Sequence, residues 1–266
     1  MHIDQQPYRT LYDEILDYDG DAPYADLLHP WLRRQDGERR WLDEMRARRG
    51  SPVPPMSPEE SWRLYALSRI VDLLQLSFAP ATTEPSSAIA AIGRDDFAGF
   101  MDALGLEPVE RAGFDPFFHE VVTVDQLAEE DAPPAVAEVY WPGYTLGPLL
   151  VSRAGCRVRA GRRHLAKEVA ERSTLYWAYA RSTRKTQDLS RGWGSNSQWR
   201  TAFRRDYALE GRLFYNVGAR EHPGGADDEL DPAERAELLR HRCFVTCTKP
   251  GDDLWPYSLS AIDDDR

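Results

Sequence analysis

The chain has 266 residues, 42% apolar and 29% charged, and a formal net charge of −11. That apolar share supports a real core, and its eight Trp and twelve Tyr argue against a long disordered region. The longest uncharged apolar stretch, Val139 to Ser152, is 14 residues and is broken by Pro142, Gly143, Gly147 and Pro148, which excludes a helical membrane span there.

The first segment, MHIDQQPYRTLYDEILDYDG, has no basic region followed by an apolar one, so export is not expected. Tyr8 to Tyr18 and Trp31 to Arg49 read as helices, and SPVPPM at 51 to 56 reads as a stiff connector. The clearest helix starts at Ser57-Pro58-Glu59-Glu60. Ser57 can cap it, Pro58 suits the first helical position, and Glu60 can reach back to complete a capping box. Leu67, Ile70, Val71, Leu74 and Phe78 then recur at helical spacing along one apolar face. APATTEPSS is a loop, and Asp95 to Leu104 is a helix stopped by Gly105.

From Phe117 the hydrophobic period moves towards two. Phe117 to Val124, Ala135 to Trp141, Leu149 to Val158 and Ser173 to Arg181 read as strands, with a helix from about Arg163 to Glu171 among them. A helix is expected over Asn196 to Glu210, another from Asp231 to about Arg240, and a strand over Cys243 to Lys249. The expected class is α+β, with a helical N-terminal part packed on a mostly antiparallel C-terminal sheet. The turn-rich stretch at 106 to 116 suggests a mainly helical region 1–110 and an α+β region 111–266, though one single domain fits the same pattern.

Charge is segregated along the chain. Residues 151 to 205 hold 14 Lys/Arg against 3 Asp/Glu, a local +11, so the rest carries −22. Such a segment either neutralises acidic parts of its own fold, with Asp188 and Asp206 nearest to hand, or presents a site for an anion. Within it, Gly192-Trp193-Gly194-Ser195-Asn196-Ser197 follows a predicted strand and precedes a predicted helix. Ser195 and Gln198 are spaced as a capping box. The unpaired amides of a helix start favour an anion.

Arg181, Arg184, Lys185 and Arg191 lie just upstream, and Arg200 and Arg204 are four apart. Arginine's planar fork suits phosphate or carboxylate. The expected ligand is therefore a small phosphate- or carboxylate-bearing anion held by these cations, Trp193, Ser195, Asn196 and Ser197. Asp188 or His164 is the acid/base candidate if the protein is an enzyme. The segment lacks the spacing of a P-loop or a dinucleotide fold, and no G-x-S-x-G elbow is present.

Nucleic acid is disfavoured as the anion, because the acidic remainder repels a long polyanion. His119 and Glu120 are neighbours on a predicted strand, point to opposite faces and cannot form a dyad. No His/Cys/Asp set has metal-ligand spacing, so neither metal nor cofactor is expected. Cys156, Cys243 and Cys247 are too few for a disulfide framework; free thiols and a cytoplasmic setting follow. An alternative from another class is a protein-interaction module, immunity or regulatory in kind, using the acidic stretches at 227 to 237 and 252 to 265 against a basic partner. The sequence leaves the oligomeric state open.

Overall fold

The structure, a computed structural model, describes residues 6–50, 53–80, 91–171, 199, 202–218 and 260–265. Its class is α+β: helices occupy the N-terminal part, and the strands that follow form two sheets.

The front of the chain is α1 (Gln6–Asp17), a π-helical turn (Tyr24–Leu28), α2 (His29–Arg34), α3 (Asp36–Ala47), α4 (Pro58–Gln75) and α5 (Arg94–Ala103). The helix expected over Trp31 to Arg49 is in fact two. Gln35 leaves helical geometry at φ −110, ψ 45, which lets Trp31 and Leu32 on one side and Trp41, Leu42 and Met45 on the other reach the same core.

At α4 the capping box forms as expected. The Glu60 amide donates to Ser57 Oγ at 3.2 Å, and the Ser57 amide donates to Glu60 Oε2 at 2.8 Å. This helix buries far more than one face, however, because every residue from Arg63 to Gln75 is buried. A central helix can carry polar residues only when they are partnered. Arg63 Nε donates to Glu38 Oε1 at 2.9 Å and its guanidinium lies 4.0 Å from the Trp41 ring centre, while Gln75 Nε2 donates to Ser152 Oγ at 2.8 Å.

Among the described residues, a six-stranded antiparallel sheet runs in the order β1 (Glu107–Pro108), β4 (Tyr144–Leu146), β5 (Leu149–Ser152), β7 (Asp206–Leu209), β8 (Arg212–Tyr215) and β9 (Ala261–Asp264). A three-stranded sheet sets β6 (Ala154–Ala160) between β2 (His119–Gln126), parallel to it, and β3 (Ala135–Trp141), antiparallel. The helices cover one face of the larger sheet in a continuous core that includes Leu28, Leu64, Phe100, Tyr144, Leu149 and Tyr207. Phe117, Phe118, Leu150, Leu213 and Tyr215 cluster separately.

Three expectations need correction. The strand expected over Leu149 to Val158 is two strands in different sheets, and the break falls at Arg153. The helix expected over Arg163 to Glu171 is the shorter α6, Lys167–Ala170. The helix expected over Asn196 to Glu210 is overturned over its last part: 202 to 205 has no regular secondary structure, and β7 begins at Asp206. Glu210 at φ 54 and Gly211 at φ 74 then turn the chain directly into β8. The expected elements at Ser173 to Arg181, Asp231 to Arg240 and Cys243 to Lys249 lie outside the described residues.

Candidate anion site beside the central helix

Positions 58, 61, 62, 65, 68 and 72 of α4 form a stripe at three- and four-residue spacing. Facing it are β5 and the segment 202 to 206. Between them lies a cleft of about 450 Å³, also lined by Asn216, Val217 and Gly218. That segment is held to the helix by the Phe203 amide, which donates to Ser61 Oγ at 2.9 Å, and by burial of Phe203.

Asp206 organises the charged wall. Its side chain is 2% exposed. Oδ2 accepts from Arg153 Nη2 at 2.6 Å and from Arg204 Nε at 2.9 Å, while Oδ1 accepts from the Asn216 amide at 2.7 Å. Burial pushes the Asp206 carboxyl up, but Arg204, Arg153 and the Asn216 amide outweigh it and hold the group below its ordinary range. The Asn216 amide reaches Asp206 because the residue adopts a left-handed φ of 52, which Asn tolerates better than most residues.

A third guanidinium, Arg205, completes the wall. Its backbone carbonyl accepts from the Val217 amide at 2.8 Å, and its side chain approaches the Tyr207 hydroxyl. Gly218, at φ 80, lies against that guanidinium so closely that a Cβ would collide with it. Arg205 has no carboxylate within ion-pair distance among the described residues. Three cations therefore line the cleft with Asp206 and Asp72, a local excess of one positive charge among the described lining residues. Ser57 and Ser61, whose Oγ atoms accept from the Glu60 and Phe203 amides, add hydroxyls that can donate to an anion.

Of the residues nominated from the sequence, Arg204 is on this wall. His164 is elsewhere, in the turn after β6, with Nε2 at 3.2 Å from the Asp131 backbone oxygen and outside the cleft lining. Arg181, Arg184, Lys185, Asp188, Arg191, Trp193, Ser195, Asn196, Ser197 and Arg200 lie outside the described residues. Arg153 and Arg205 were missed. Arg153 had a legible signal, since it is the lone charge between Tyr140 and Cys156 and an ion there needs a partner if the strand is buried.

Other groups fit the cleft less well or belong to the core. A larger hollow of about 520 Å³ beside α3 contains Arg39, Arg40, Asp36 and Asp43, but it is open, and Arg39 is matched to Asp36 at 2.6 Å on its own helix. Cys156 is buried in the three-stranded sheet, and burial pushes its thiol up to about 12, which makes it inert. His119 is buried, its Nδ1 is 2.9 Å from the Asp115 oxygen, and burial lowers its pKa. Among the described residues no cluster of His, Cys, Asp and Glu could hold a metal ion, and no helix is long and apolar enough to cross a membrane. Comparison with protein-family models, curated proteins and solved structures found no match.

Proposed function

We propose that the cleft beside α4 binds a small anionic ligand carrying a phosphate or carboxylate group. The observation that carries this reading is the make-up of the wall: three guanidinium groups, those of Arg153, Arg204 and Arg205, line the cleft with the carboxylates of Asp72 and Asp206, and Arg205 has no carboxylate within ion-pair distance among the described residues. Like charges gathered at low exposure are costly unless an anion joins them. A phosphate or carboxylate accepts from several guanidinium N–H groups at once, which suits a wall fixed from behind by Asp206.

Arg204 connects this reading to the Arg-rich segment, and Arg205 is the residue to test because it pairs with no carboxylate among the described residues. Thermal unfolding with inorganic phosphate and with citrate should show a rise in Tm for the wild type, since a ligand of the folded state stabilises it by mass action. Arg205→Ala should lose at least three-quarters of that rise. Arg163→Ala, which removes a surface cation paired with Asp131 and Glu130, should keep it. Equal shifts in all three proteins, or none in the wild type, would remove the proposal.

A further inference from the structure

Resting on that reading, we infer that the ligand is amphipathic: an anionic head on Arg205 and Arg204 joined to an apolar or aromatic body lying along α4. The size of the cleft requires more than a head group. At about 450 Å³ it would hold about fifteen waters at their liquid volume, far beyond the bulk of a bare phosphate. It matches instead the range of clefts that take whole organic ligands. It is also long, since the α4 wall from Ser57 to Asp72 extends about 22 Å at the usual helical rise.

The chemistry of the walls is divided in the same way. Met56, Pro58, Trp62, Tyr65, Phe203 and Val217 supply apolar and aromatic surface, and the guanidinium groups come from the chain at 153 and 204 to 205. Trp62 is half-buried, and Tyr65 and Phe203 are buried with their surroundings already packed, so the apolar wall exists before any ligand arrives. A preformed apolar wall beside a few fixed polar groups is the usual arrangement for selecting an organic ion over an inorganic one. Phosphate alone would leave that wall wet.

Calorimetric titration with two probes, inorganic phosphate and phenyl phosphate, tests the inference. Phenyl phosphate should bind at least tenfold tighter than phosphate to the wild type. Trp62→Ala should remove most of that advantage while leaving phosphate affinity within about twofold, and Trp62→Phe should restore much of it. Equal affinity of the two probes for the wild type would overturn the inference and leave the anion reading intact. An unaltered advantage in Trp62→Ala would also overturn it. Failure of both probes to bind would instead remove the anion reading beneath it.

Discussion

Asp206 does more for the candidate site than any other single residue, because one carboxylate fixes two guanidinium groups and the Asn216 turn. It sits in the interior with its charge intact. Replacing it with Asn preserves the shape but removes the carboxylate that Arg153 and Arg204 share, so Asp206→Asn should destabilise the fold by about 3–5 kcal/mol, the cost of breaking a buried ion pair. The folded-state pKa is depressed, so this stabilisation is present above the unfolded aspartate value and is lost as pH falls through the folded one. Denaturant unfolding of the two proteins at neutral and acidic pH should therefore show a gap that closes as the solution becomes more acidic. A gap constant with pH would mean that Asp206 is not ionised in the fold. The sequence named Asp206 as a neighbouring acid, but not that its arginine partner at 153 comes from a distant strand.

The strand β7 shows how helical spacing can mislead. Trp199, Ala202, Phe203 and Tyr207 recur as they would on a helix, and Trp199, Phe203 and Tyr207 do join one core. They do not share a helix: Trp199 lies in a turn, Phe203 in chain without regular structure and Tyr207 in β7, where Leu149 and Leu150 of β5 pair with Tyr207 and Asp206, a contact set by residues far away in sequence. The local clue was the turn at Glu210-Gly211. Both residues take positive φ, the geometry of a tight hairpin that favours Asn-Gly. Glu210→Asn should accordingly raise stability by about 1 kcal/mol, read from the denaturation midpoint, since a left-handed conformation costs most side chains about that much. A loss of stability would show that the Glu210 side chain contributes something its geometry does not suggest. By contrast, the start of α4 was fully legible, because a capping box is written in four consecutive residues and needs no distant partner.

Across the whole molecule, the α+β class and the order of helices before sheets could be read from the change in hydrophobic period. The division into two sheets could not. It depends on Arg153 interrupting a run of strand-forming residues so that Trp141 Nε1 donates to its carbonyl at 3.1 Å and its side chain turns towards Asp206. The charge segregation was equally visible in the sequence, but its geometry was not. Of the described cations in the basic segment, Arg157, Arg162, Arg163 and Lys167 are paired with carboxylates, Arg159 is exposed on β6, and Arg153, Arg204 and Arg205 line the cleft.

On the proposed reading, the cleft should bind an anion through short-range contacts, while the acidic remainder of a protein of net charge −11 discourages long polyanions. The most direct test is isothermal titration of inorganic phosphate into the wild type and into Arg205→Glu, repeated at low and high ionic strength. One site should appear in the wild type, weaken as salt rises and vanish on charge reversal. Absence of binding in the wild type, or equal binding in Arg205→Glu, would contradict the assignment of this cleft to an anion.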